Sequence, residues 1–393
     1  MAATTIADLP DDIICNILVR IPDIKSIIRC NHVCKTWRKQ ILRPYFAKSH
    51  SSRGSPPLSL MLYHPSDGPP DPAPSGILIP TKPRHFGILE VDNDNLPRLG
   101  CPNPTVEFEP EIYIPREGYE RRVIGACNGL VCLCVDKDIV VCNPILQGRQ
   151  PFVLPKLPEQ PKWAYSRSRL GFGFSPLSDE YKVLRCNHET MSYREGHIIS
   201  FEVCTLGRDD TWRSIGEGGR DGKPFPRIYH SLGVDFVYVN GALYWLGRDT
   251  ASRLVLCYFD VENEELGSTP SLPCEIDGIV QLGGLDESLY LFDIYYRPCH
   301  VNVWVMRDYI RTGAWTLKWN FRHGLQGPIQ PIKILKDGTV LMILFKYIRD
   351  YKMWSQVLPY HNPQTGLDRY DEVQFWTQSI ALVPSFICPP WLL

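Results

Sequence analysis

The sequence predicts an α+β multidomain chain: a small N-terminal unit of three helices, then an all-β, propeller-like domain of about six blades. Three observations carry this. In the first fifty residues Ile13, Ile14, Ile17, Leu18 and Ile21 recur at the spacing of one helix face. From Arg121 onward the texture changes to short runs rich in Val, Ile, Leu, Tyr and Phe, separated by Gly, Asn, Asp and Pro. These runs group in fours at intervals of roughly 45–60 residues, as in sheets arranged radially so that their edges are hidden. A pair of β-sandwiches is the competing arrangement for so many short strands.

The first helix begins near Pro10, which suits a first turn because its missing N–H costs nothing there. Asp11 and Asp12 place negative charge at the positive end of the helix dipole. Pro22 ends the helix, and Asp23 can cap a second one carrying Ile24, Ile27 and Ile28. A third run follows with Val33, Trp37 and Ile41, and Pro44 lies close behind its end. Three helices of this size are marginal alone, and the front stripe is larger than they need, so the stretch is expected to dock on a partner by helix-in-groove packing. Lys35, Arg38, Lys39 and Arg43 also suit a helix-turn-helix or a calmodulin target; DNA binding is disfavoured, since the recognition helix would present Val33 and Trp37 rather than base-reading side chains.

A Ser/Gly/Pro-rich joint follows His50, and few contacts are expected across it. Domain limits are therefore set at 5–50 for the helical unit, 51–57 for a linker and 58–393 for the β domain. Strands are expected at Leu58–Tyr63 and His85–Val91, around a Pro-dense loop from Pro65 to Pro83. Val123–Ala126, Leu130–Val135 and Ile139–Cys142 follow, around turns at Asn128-Gly129 and Asp136-Lys137-Asp138. Leu170–Phe174, Tyr181–Cys186 and Ile198–Thr205 form a group closed by Trp212. Asp235–Val239 and Ala242–Leu246 flank Asn240-Gly241, the strongest hairpin signal, and Leu254–Asp260 and Leu266–Leu272 complete that group. Ile279–Leu282, Leu289–Phe292, Val301–Met306 and Thr316–Trp319 come next, then Ile332–Ile334, Val340–Phe345, Gln356–Tyr360 and Asp368–Gln374. Ile380–Phe386 is left over, free to share a blade with the strands before residue 115 and close the ring.

Composition narrows the function classes. The 393 residues are 44% apolar and carry a formal net charge of −1, which gives no electrostatic case for nucleic acid or acidic lipid. The longest apolar runs, such as Val340–Phe345, are too short to span a membrane. The start MAATTIADLP does not read as a secretory signal, and the nearest glycosylation sequon, at Asn103, is spoiled by Pro104. The 14 cysteines are therefore expected to be reduced, in cytoplasm and/or nucleus, and mostly buried as small apolar groups.

Two resemblances emerge. Leu9-Pro10-x-Asp12-Ile13, Ile17-Leu18, Ile21-Pro22, Arg29, Val33-Cys34-Lys35-x-Trp37, Pro44-x-Phe46 and His50, in that order, resemble the F-box of plant F-box proteins. Gly125-x-Cys127-Asn128-Gly129-Leu130-Val131-Cys132-Leu133, Asn143-Pro144, Gly171-Phe172-Gly173-Phe174-Ser175-Pro176 and Asp179-Glu180-Tyr181-Lys182-Val183 resemble their F-box-associated domain. Val239-Asn240-Gly241-Ala242-Leu243-Tyr244-Trp245 and Val303-Trp304-Val305-Met306 continue that likeness. It implies a kelch-like propeller that recruits a protein substrate, and an F-box docked on the Skp-type subunit of an SCF-type cullin ubiquitin ligase.

Catalytic signatures are not found. Gly171-x-Gly173 lacks the third glycine of a dinucleotide loop, Gly222-Lys223 is followed by Pro224, and Ser175 lacks the glycines of a nucleophile elbow. Cys132-x-Cys134 and Cys30-x3-Cys34 with His32 fall short of a metal ligand set. The expectation is a non-catalytic adaptor with no cofactor and no metal. Docking is assigned to Leu9, Pro10, Ile13, Ile17, Leu18, Ile21, Pro22, Ile27, Val33, Cys34 and Trp37, some of which must instead form the internal core. Substrate contact is assigned to three loops, Asn187–His197, Gly216–Arg227 and Lys346–Met353, through Tyr193, Arg194, Arg220, Phe225, Tyr347 and Arg349, because Tyr and Arg dominate interface hot spots. The alternative is a β-propeller small-molecule-binding protein or enzyme with a merely structural helical N-terminus.

Overall fold

The computed structural model describes residues 9–21, 24–51, 58–65, 83–91, 106–108, 121–135, 138–146, 150–157, 169–190, 197–216, 225–228, 236–269, 272–273, 276, 278–285, 287–296, 299–306, 314–322, 329–334, 339–348, 353–362, 367–371, 378–382 and 385–392. Pro22, Asp23, Tyr193, Arg194, Arg220 and Arg349 fall outside them, as do the joint at 52–57 and the Pro-dense loop at 66–82.

The N-terminal unit has four helices rather than three: α1 (Asp11–Val19), α2 (Ile24–Asn31), α3 (Lys35–Ile41) and α4 (Pro44–Ser51). Pro10 caps α1, its carbonyl accepting from the amides of Ile13 and Ile14 at 3.0 and 3.1 Å. Cys34 caps α3, its Sγ accepting from the Trp37 amide at 3.5 Å. Pro44, close behind the end of α3 as expected, also opens a fourth helix. At the first helical position the absent N–H has no partner to lose, and the Arg43 carbonyl accepts from Phe46 N at 2.9 Å. Ile14, Leu18, Ile24, Ile27, Ile41 and Phe46 form the interior of the unit.

The β domain comprises six sheets among the described residues. The first holds β1 (Leu58–Pro65), β2 (Pro83–Val91) and β3 (Val106–Phe108); the second holds β4 (Arg121–Cys127), β5 (Leu130–Val135), β6 (Asp138–Cys142) and β7 (Phe152–Val153). The third runs through β8 (Arg169–Ser175), β9 (Glu180–Thr190), β10 (His197–Thr205) and β11 (Arg213–Gly216). In the fourth, β12 (Arg227–Ile228) and β13 (Val237–Val239) share one edge of β14 (Ala242–Arg248), with β15 (Leu254–Asp260) and β16 (Glu265–Thr269) beyond. The fifth holds β17 (Ile279–Leu285), β18 (Ser288–Tyr296), β19 (Cys299–Met306) and β20 (Thr316–Arg322). The sixth holds β21 (Ile329–Ile334), β22 (Val340–Ile348), β23 (Met353–Asn362) and β24 (Leu367–Asp371). Finally β25 (Gln378–Leu382) returns to the first sheet and pairs with β1, Ser59 opposite Leu382. The C-terminal strand thus completes the blade that the N-terminal strands begin, which leaves no open edge on β1.

Both faces of β5 are buried because its blade is covered on either side. Along β5, Val131, Leu133 and Val135 join one apolar cluster while Leu130 and Cys132 join another. Asn128-Gly129 and Asn240-Gly241 form the expected tight hairpins, with φ of 50° and 79°, and 45° and 81°. The short strands β3, β7, β11 and β12 carry too few residues for an alternation to show in the sequence.

Two expectations are corrected. The strand set at Ile380–Phe386 ends at Leu382, and residues 385–389 are non-strand, leading into a single turn at Pro390–Leu392; Pro384, Pro389 and Pro390 have no N–H to offer a ladder. The helical unit is also not isolated from the β domain. Phe46 and His50 of α4 meet Phe386 edge-on at ring distances of 5.3 Å, and one apolar cluster runs from Ile14 and Leu18 to Val131, Leu133 and Val140. A unit too small to bury its own apolar surface has found part of its cover within the same chain.

Candidate functional site

The helical surface is built by a split in the front stripe. Ile14 and Leu18 point into the core, 1% and 0% exposed, whereas Ile13 and Ile17 point outward at 45% and 44%. The outward pair sits at i, i+4 on α1 and is therefore adjacent. Leu9 and Ile21, half-buried, extend the same four-residue ladder just before and after the helix. Pro10, Val33 and Cys34 are also exposed, Val33 to 61%, and Trp37 is half-buried. Leu18 and Ile27, assigned to docking from the sequence, are fully buried and hold the helices together from within. Ile13, Ile17 and Val33 thus remain as apolar side chains exposed on the surface of the helical unit.

At one end of the propeller the turns of neighbouring blades are tied to each other. Ser178 donates from N and Oγ to Glu262, and Asn240 Nδ2 donates to the Glu287 carbonyl at 2.8 Å. Glu264 receives Arg213 and the buried Lys182, both at 2.9 Å, and Arg213 also reaches Asp209 at 3.0 Å. Burial would raise the Glu264 carboxyl, but Arg213 and Lys182 outweigh it and hold it below its ordinary value. Asp209 behaves likewise: the Thr205 amide and Arg213 override burial.

The strand ends that flank the predicted substrate loops lie at the opposite end. Antiparallel strands alternate ends, so the ends that flank those loops, Thr190 and His197, Gly216 and Arg227, and Ile348 and Met353, all face away from the tied turns. Tyr347 lies on β22 opposite Trp354 rather than in a loop. Phe225 is a correction: it is 7% exposed and packs against Phe201 at 5.0 Å and Trp245 at 5.8 Å, because an aromatic beside a blade interface gains more by burial than by exposure.

Residues that suggested chemistry turn out to be packing. A Cβ on Gly171 would come within 2.9 Å of Phe236, and one on Gly173 within 3.0 Å of Val261, so these glycines allow blades three and four to close on each other. Cys132 lies in the core and Cys134 packs against it. Burial pushes the thiols of Cys142 and Cys204 up to about 12 and raises Cys127 and Cys257 as well, which makes them poor nucleophiles. Among the described residues, no group of three His, Cys, Asp or Glu converges as a metal site, and no helix is long and apolar enough to cross a membrane. The C-terminal tail was missed from the sequence as a structural partner; its only signal is a cluster of Phe386, Trp391 and Leu392 beyond the last strand.

A helical unit with an outward apolar ladder is joined to a β-propeller domain of six sheets among the described residues. The sequence of residues 6–52 matches the F-box-like family, and residues 98–337 match the F-box associated beta propeller domain. The chain belongs to the plant-type F-box proteins that carry this propeller. It is 25% identical over 347 residues to an F-box/kelch-repeat protein of Arabidopsis thaliana, covering 86% of each chain. It is also 25% identical to an Arabidopsis thaliana F-box protein, covering 91% of this chain and 86% of the relative. The pairing of F-box and propeller supports a substrate-adaptor role in general terms.

Proposed function

We propose that this chain is the substrate-recognition adaptor of an SCF-type cullin ubiquitin ligase. The F-box docks on the Skp-type subunit, and through it on cullin, while the propeller recruits a protein substrate for ubiquitination. The observation that carries the docking half is the ladder of Ile13 and Ile17, exposed on α1 and flanked by Leu9 and Ile21. An apolar helix face of this kind fits a hydrophobic groove. The chain does no bond chemistry in this reading. It raises the effective concentration of substrate lysines near the loaded conjugating enzyme, which other subunits supply. The reading places the protein in the cytoplasm and/or nucleus, where that machinery works on reduced proteins.

The test is copurification of a Skp-type subunit and cullin with the full chain and with Ile17→Asp. A carboxylate forced into an apolar groove costs several kcal/mol, on the order of a thousandfold in affinity. Capture by the wild type and its loss in Ile17→Asp, with an unchanged melting curve, supports the assignment. Undiminished capture by the variant sinks it.

A further inference from the structure

We propose that residues 385–392 form a strap that fixes the orientation of the F-box unit on the propeller, and so where bound substrate stands relative to the ligase; this rests on the adaptor reading above. Ring closure does not need these residues, since β25 already completes the first blade. The tail instead crosses the tied end of the domain. Asn143 Nδ2 donates to the carbonyls of both Ser385 and Ile387 at 2.8 Å, and Ser385 Oγ donates to the Asn128 carbonyl. Trp391 lies edge-on to Phe152 and Tyr181 at 5.1 and 5.7 Å, and Leu392 is 4% exposed.

Two turns are shaped to receive the tail. Gly129 and Gly207 have φ of 79° and 73°, and a Cβ on either would come within 2.3 Å of Ser385 and 2.6 Å of Trp391 respectively. Phe386 is held on this track and, 2% exposed, sits against Phe46 and His50 of α4. His50 in turn lies 3.3 Å from the Ile21 carbonyl at the end of the docking ladder. Among the described residues the helical unit is therefore held non-covalently, through the apolar cluster that contains Phe386, as well as covalently through the chain after Ser51. One polar peptide joint leaves two bodies free to turn, whereas a second attachment removes that freedom. The strap lies at the tied end, opposite the strand ends Thr190, His197, Ile348 and Met353.

The test places a dye pair at Asn16 and Leu177 of the full-length chain, both exposed, and reads the distance distribution by single-molecule energy transfer. Phe386→Ala cuts the strap from the helices, and Asn143→Ala cuts it from the blade. The wild type should give one narrow population. Both variants should lose it for a broad one, with the propeller's melting midpoint and capture of the Skp-type subunit retained, and Phe386→Leu should recover the narrow population. A narrow population in both variants would overturn the proposal. So would a melting midpoint that falls together with the broadening, since the tail would then be sheet packing only. Failure of the wild type to capture a Skp-type subunit would count against the adaptor reading alone, because the distance readout does not depend on it.

Discussion

A carboxylate at position 17 would stand in water on α1, whereas at position 18 it would stand in the core, with no solvent to hydrate it. Ile17→Asp should therefore change stability by no more than about half a kcal/mol, and Leu18→Asp should cost about 3–5 kcal/mol and unfold the helical unit. Melting followed by circular dichroism separates the two, and equal midpoints would contradict the orientation of α1. Acid titration tests a second residue pair. Glu264 and Asp209 are held below their ordinary values of 4.5 and 3.8 in the folded chain, so the unfolded chain binds more protons in that range. The stabilisation they give is present above those values and is lost as the pH falls below them. The urea midpoint of the wild type should drop more steeply on acidification below pH 4.5 than that of Glu264→Gln.

At the scale of elements, the blades are held by close approach as much as by hydrogen bonds. Gly171 on β8 lies against Phe236 and Leu243 of the fourth blade, where a Cβ would come within 3.0 Å of either. Gly171→Ala should act as a wedge and cost about 1–3 kcal/mol, because a packed interface cannot yield without moving rings off their rotamers. A lowered urea midpoint with an unchanged slope checks this, and an unaltered midpoint would mean that the two blades part freely. The helix elements follow the same logic on a smaller scale. Pro44 starts α4 because the position it occupies requires no amide donor, while the same residue type inside α1 would break it.

At the scale of the molecule, the two termini of the β domain share one sheet. Removing residues 378–393 would take away the inner strand of the first blade and the strap with it, leaving the edge of β1 unpaired. The truncated chain should lose its single cooperative unfolding transition and self-associate through that edge. Chemical denaturation with light scattering would show both effects, and a monomeric, cooperative product would contradict the closure described here.

The order of helices then strands, the hairpins at Asn128-Gly129 and Asn240-Gly241 and the four-strand repeat were legible in the sequence, because each depends on local periodicity or on a turn that only a few residue types can make. The closing role of the last strand followed from counting strands against blades. Other features could not be read this way. Ile13 and Ile14, or Ile17 and Leu18, are equally apolar neighbours, and which one faces water depends on where α3 and α4 lie. Phe225 reads as an interface aromatic until the rings of Phe201 and Trp245 are found around it. Phe386 meets Phe46 across most of the chain's length, and no periodicity spans that interval. Local pattern determined which elements this chain forms; only packing at long range decided which of their faces remained for a partner, because burial is a property of neighbours and not of the residue itself.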